Sequence, residues 1–184
     1  MHYFRNFIAE MQQRGHSFLI TARDKEVTHD LLQRYNLPFH GRGKGGKGIV
    51  GKIAYILYAD VFIYRKALKF KPDLFLSFAS TYAAHAAFLY RKPHIALDDT
   101  EHAKFELMLY TPFTQAILTP DCFTGNLGKK QFRIRAFAEF LYLHRNRYKP
   151  DASVRELMKI GPDEKVALLR FISWNASQIG RAHV

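Results

Sequence analysis

A chain of 184 residues with 48% apolar and 15% aromatic side chains can bury a sizeable core, which excludes a disordered protein and bounds the organisation at one domain or slightly more. The net charge of +12 points to polyanions or anionic surfaces, and the single cysteine, Cys122, excludes an intramolecular disulfide and a multi-thiolate metal site. Cysteine usage this low fits a reducing compartment, and the reading is a cytoplasmic protein; the longest apolar region, 49–70, is interrupted by Lys52, Asp60, Arg65 and Lys66, short of the roughly 20 apolar residues a span needs.

Phe4, Phe7, Ile8 and Met11 recur at helical spacing and Gly15 follows as a stop, which predicts a helix over 2–14. A strand over 17–22, a helix over 25–35 and a short strand at 38–40 lead into a glycine-rich loop and a long helix, 49–70. The apolar run 73–77 behind Pro72 reads as a strand buried on both faces, and the alanine-rich segment 80–90 as a helix. A strand over 94–97, a helix over 100–110, a strand over 115–118, a turn at 121–128 and a strand over 132–136 follow. Alternation of strand and helix throughout predicts an α/β, Rossmann-like, mostly parallel sheet with helices on both faces. Pro150 and Asp151 open a change of register, with a short helix at 153–158 and a new strand at 165–172, so a domain boundary is placed near residue 150.

Chemistry is expected where the strand 94–97 runs into Asp98, Asp99, Glu101 and His102, because ligands of open α/β sheets bind outside the carboxyl ends of the strands. The four could supply a general base with its orienting partner. The bland reading is a helix N-terminus, with Asp98 as N-cap and Glu101 three residues on as a capping box, but that needs only one of the acids. No second cluster of His, Asp or Glu completes a metal ligand set, so no metal is expected. Ser80 and Thr81, behind the strand 73–77, could contact an anion or a sugar, or simply cap a helix. Glu139, Tyr142 and His144 follow the last strand and could line the same crevice, or equally form a surface loop.

Gly41-Arg42-Gly43-Lys44-Gly45-Gly46-Lys47-Gly48 satisfies the spacing of a dinucleotide fingerprint and nearly that of a phosphate loop. The first lacks an acid about 20 residues on and the second lacks its Ser or Thr, so no cofactor is implied. A mobile basic loop is the plain reading; phosphate contact through backbone N–H groups is the alternative. Lys and Arg fall in three clusters, 42–52, 65–71 and 129–149, on separate elements. Solvated faces explain them, and peripheral association with the inner face of a membrane is the functional alternative. No nucleic-acid-binding module is recognisable, so nucleic acid is not expected as a partner.

His2-Tyr3-Phe4-Arg5-Asn6-Phe7-Ile8, Arg14-Gly15-His16, Ile20-Thr21-Ala22-Arg23-Asp24, Asp98-Asp99-Thr100-Glu101-His102-Ala103 and Leu169-Arg170-Phe171-Ile172-Ser173-Trp174 together resemble the uncharacterised DUF354 family of archaea and bacteria. That family is similar to the GT-B glycosyltransferases and the non-hydrolysing UDP-N-acetylglucosamine 2-epimerases. The resemblance implies a GT-B-like amino-terminal domain over 1–150, without the first strand that opens family members, and the start of a carboxy-terminal domain over 151–177. The absent strand belongs between those matching 17–22 and 73–77, and its loss is expected to leave apolar strand edges that destabilise or aggregate the isolated chain. Residues 178–184 correspond in translation to a common short-read sequencing adapter and are expected to be artefact.

The implied function is the acceptor-side half of a nucleotide-sugar enzyme, a glycosyltransferase active in its full-length form and inactive as this piece. Its partners would be a nucleotide sugar and an acceptor. Asp98, Asp99, Glu101 and His102 would be the catalytic candidates, and His2, Ser80, Thr81 and Glu139 the substrate-binding ones. A UDP-sugar 2-epimerase-like enzyme and a non-catalytic module binding anionic surfaces stay open as alternatives.

Overall fold

The computed structural model describes residues 2–25, 27–151, 153–161 and 163–169. Helix α1 (His2–Gln13) ends before Gly15, whose φ of 87° suits a residue without Cβ. Strand β1 (Thr21–Ala22), helix α2 (Thr28–Arg34) and strand β2 (His40–Gly41) follow, then the long helix α3 (Gly48–Phe70). Strand β3 (Phe75–Phe78), helix α4 (Thr81–Tyr90), strand β4 (His94–Leu97) and helix α5 (Lys104–Tyr110) come next. Strands β5 (Ala116–Pro120) and β6 (Gln131–Ile134) and the short helices α6 (Phe140–Leu143) and α7 (Ser153–Leu157) complete the described residues.

Every strand pair is parallel, in two sheets ordered β1–β2 and β3–β4–β5–β6. The first sheet is shorter than the expected 17–22 and 38–40 because Pro38 has no N–H to donate. At the two ends of this short ladder His40 N donates to Ile20 O and Arg42 N to Ala22 O, both at 2.8 Å.

Phe75, Ser77, His94, Ala96, Ile117 and Thr119 alternate onto one buried face of the larger sheet. Alanines make this face close-packed. Ala84, Ala86 and Ala87 of α4 are fully buried, which lets α3 approach through the four-residue stripe Tyr55, Ala59, Ile63 and Ala67. Two apolar clusters result, one of Ile63, Ala67, Phe75, Ala86 and Ala87, the other of Ala84, Ala96, Tyr110 and Ile117. On the opposite face Tyr3 of α1 stacks on Phe78 with ring centroids 4.5 Å apart, so helices do cover both sides.

Two expectations are corrected. Helix α5 begins at Lys104 and not near residue 100, since 98–103 form a loop held by side chains. The strand over 165–172 is not formed through residue 169: Val166, Leu168 and Leu169 are exposed, and no neighbouring strand meets them. Residues 170–172 and the supposed artefact 178–184 lie outside the described residues.

Candidate functional site

The carboxyl ends of β3, β4, β5 and β6 open on a cavity of about 390 Å3 walled by Phe78, Leu97, Asp98, Pro120 and Ile134, with His144 across from them. This is the crevice that parallel-sheet topology predicts. Phe137, Phe140 and Leu141, from the segment after β6, add apolar surface, a composition suited to a substrate's non-polar faces.

The acidic cluster at the end of β4 separates into two tethered and two open residues. Asp98 is only 3% exposed; its Oδ1 accepts from Thr100 N at 2.8 Å and its Oδ2 from the Tyr110 hydroxyl at 2.5 Å. Those two bonds close the loop and leave Asp98 unavailable as the N-cap of α5, a place taken by Ala103 with no side-chain bond. Glu101 reaches the other way: its Oε2 accepts from the Thr124 amide at 2.7 Å, the Gly125 amide at 3.2 Å and the Thr124 hydroxyl. These bonds hold its carboxyl below the ordinary range, the Thr124 hydroxyl first among them. Glu101 therefore staples the loop after β5 to the loop after β4. Asp99 and His102 are exposed, and among the described residues Asp99 accepts only from the hydroxyl of its neighbour Thr100, at 2.9 Å.

Beneath the crevice runs a polar chain that the sequence did not disclose. The Ser80 amide donates to Ser77 Oγ at 3.1 Å, and Ser77 Oγ meets His94 Nε2 at 2.9 Å. His94 Nδ1 meets Thr114 Oγ1 at 2.8 Å, and that hydroxyl donates to the Tyr110 carbonyl at 2.9 Å. Because the Thr114 proton is committed to a carbonyl, Nδ1 must carry a hydrogen and donate, so Nε2 accepts from Ser77. A neutral imidazole completes the chain, and burial lowers the His94 pKa to about 4. Tyr110 is itself fully buried, and burial followed by the bond to Asp98 raises its phenol.

Among the substrate-binding candidates, Ser80 is the N-cap of α4, accepting from Ala83 N at 3.4 Å, while Thr81 is 8% exposed and so buried in the helix's first turn. His2 Nδ1 meets the Tyr35 hydroxyl at 2.8 Å, its ring lies 5.2 Å from Tyr142, and burial lowers its pKa. Glu139 is exposed at the start of α6. Tyr3, missed by sequence reasoning, has its ring 5.6 Å from that of Tyr142; burial raises its phenol first, and the charges of Asp99, Tyr142 and Glu139 add to it. Position 3 in an amphipathic helix reads as core, so only the fold could show that α1 sets this hydroxyl among those groups. The described residues hold no grouping of three or more His, Cys, Asp and Glu placed to bind a metal.

The glycine-rich segment makes two backbone approaches to its neighbours. Asp24 N donates to Gly43 O at 3.0 Å, and a Cβ on Gly46 would lie 1.9 Å from the Gly51 carbonyl oxygen, so this backbone packs on the first turn of α3. Asp60, inside α3, binds His85 of α4 at 2.8 Å and is not a nucleotide-binding acid.

Parallel strands, helices on both faces and a crevice at the carboxyl edge define a Rossmann-like α/β fold. The family match spans residues 1–180, and the chain belongs to the family described as protein of unknown function (DUF354). It is similar to the uncharacterized protein MJ0665 of Methanocaldococcus jannaschii, 26% identical over 140 residues, which cover 76% of this chain and 41% of that one. The chain thus spans about two fifths of that curated relative's length. It also resembles the crystal structure of Acinetobacter baumannii MurG, with a TM-score of 0.58 at 18% identity, covering 72% of this chain and 40% of MurG. At that identity the likeness is one of fold. No helix among the described residues is long and apolar enough to cross a membrane.

Proposed function

We propose that this chain carries the acceptor-side half of the cleft of a GT-B nucleotide-sugar glycosyltransferase. The observation that carries the reading is the roughly 390 Å3 crevice at the carboxyl ends of β3 to β6, with exposed Asp99 and His102 on the adjoining loop. The fold likeness to MurG supports the class of architecture. The crevice lining itself holds Asp98 and His144, and the loop after β4 carries Asp99 and His102 beside it; in this reading Asp99 or His102 takes the proton of an acceptor hydroxyl as it attacks the sugar's anomeric carbon. The nucleoside diphosphate leaves with the bonding electrons. The test is incubation of the full-length protein with UDP-N-acetylglucosamine and other nucleotide sugars, with and without cell-derived acceptor fractions. Acceptor-dependent release of the nucleoside diphosphate is expected. Inversion at carbon 2 without any acceptor makes the protein an epimerase, and a folded protein doing neither overturns the reading.

The partner surface has its own support. Helix α3 exposes Val50, Ile53, Leu57, Val61 and Leu68 along one side, at 50–81% of their area, with Lys52, Arg65 and Lys69 also exposed. An apolar stripe flanked by cations suits peripheral binding to an anionic lipid surface. Co-sedimentation with vesicles containing anionic phospholipid is expected, with little on zwitterionic ones, weakening as salt shortens the Debye length. Leu57→Glu with Val61→Glu should abolish it without unfolding the protein. Undiminished sedimentation of that variant would remove α3 from the interface.

A further inference from the structure

Strand register sets up the argument. Thr21 pairs with His40 and Ala22 with Gly41, so the next residues, Arg23 and Arg42, leave the carboxyl ends of the two strands side by side. They are close enough for Arg23 to oppose the charge on Arg42. Arg42 is 8% exposed, and its Nε and Nη1 are buried with no hydrogen-bond partner. A buried, unpartnered guanidinium facing a second one is costly unless an anion joins them. No carboxylate pairs with either arginine among the described residues. Asp60 senses Arg42 but binds His85 through Oδ2, and Asp24 faces His29 at 3.9 Å.

The surroundings fix both groups. The Arg42 guanidinium lies over the Tyr82 ring, 5.0 Å from its centroid, and the Tyr55 hydroxyl donates to the Arg42 carbonyl at 3.4 Å. A Cβ on Gly45 would come 2.9 Å from Arg23 Nη1, so the loop lies against the end of that side chain. The same loop ends at the N-terminus of the 23-residue α3, which has Lys47 as N-cap, no side-chain cap and no acid in its first turn. A cation at that end of a helix is the wrong sign for the dipole, and an anion restores it. Lys44 and Lys47 are exposed along the loop.

We propose that Arg42 and Arg23, with the loop 41–48 and the first turn of α3, form an oxyanion site for a phosphate or diphosphate group. Its ligand chemistry is independent of glycosyl transfer, so it stands or falls by binding and not by activity. Arg42 supplies its fork from below, fixed by Tyr82; Arg23 closes from the side; backbone amides of the loop complete the cradle.

The test is calorimetric titration of the protein with inorganic phosphate, pyrophosphate and a nucleoside diphosphate. Saturable binding of at least one is expected, and the preferred member separates a monoester from a diphosphate or nucleotide ligand. Arg23→Gln and Arg42→Lys should each weaken it about tenfold or more, since the first removes a charge-assisted contact and the second the planar fork. Lys44→Gln with Lys47→Gln, on exposed residues, should weaken it severalfold in a fully folded protein, which guards against an Arg42 variant that fails to fold. Absence of binding to all three anions by the folded protein overturns the proposal. So does unchanged affinity in Arg23→Gln and the double lysine variant. Loss of stability in Arg42→Lys at unchanged affinity would make Arg42 a counter-charge for Asp60 and overturn it equally.

Discussion

Asp99→Asn and His102→Ala in the full-length protein are each expected to lower kcat by about 10²–10⁴-fold, the range for losing a general base or its partner, with little change in thermal stability. The expectation comes from what the other two acidic-cluster members already do. Asp98 is buried and holds both the Thr100 amide and the Tyr110 hydroxyl, and Glu101 holds Thr124 and Gly125. A group committed to two or three hydrogen bonds cannot swing to an acceptor hydroxyl without releasing its loop. Asp98→Asn is therefore expected to act mainly through the fold: the amide nitrogen it introduces cannot accept from Tyr110, leaving a buried phenol unpaired at about 1–3 kcal/mol. Initial rates under saturating nucleotide sugar, set beside melting curves, separate the two effects. Wild-type kcat in both Asp99→Asn and His102→Ala, with an inactive but stable Asp98→Asn, would move the base to Asp98 and sink this assignment.

The distinction was not available in the sequence. His94 to His102 announces the end of a strand and a ligand edge, and the structure has β4 at the expected 94–97. Which acid is free depends on Tyr110 and Thr124, 12 and 23 residues away from the carboxylates they engage. Such partners leave no periodic trace. The spacing Asp98 to Glu101 fits a capping box, yet Asp98 is engaged by the Thr100 amide and the Tyr110 hydroxyl and Glu101 by Thr124 and Gly125, so neither caps α5. Local signals carried what local forces determine: the stop at Gly15, the extent of α3, and Ser80 as N-cap of α4. They failed for Arg42, which reads as one cation in a basic loop. It is buried because Tyr82, 40 residues on, forms a face beneath it. They failed also for β1, whose length is limited by a partner strand that begins beyond Pro38.

His94 exposes the same limit and yields the largest pH effect expected of the fold. As the first residue of an apolar strand it passes for a surface histidine, yet it is wholly buried between Ser77 and Thr114. Burial lowers its pKa to about 4, whereas in the unfolded chain an imidazole titrates near 6.5. Between those values the unfolded state binds the extra proton and the folded state does not, so stability rises with pH across the window. The contribution is complete above about pH 6.5 and is lost as pH falls towards 4, a change of about 3 kcal/mol. Protonation would also force both ring nitrogens to donate, and Ser77 Oγ could accept only by surrendering its own donation. Urea unfolding at pH 7 and pH 4.5 should show a fall in midpoint for the wild type. His94→Gln, which keeps hydrogen-bonding capacity but cannot titrate, should start from a lower midpoint and lose that part of the pH dependence. An equally steep fall in the variant would place the acid-sensitive group elsewhere.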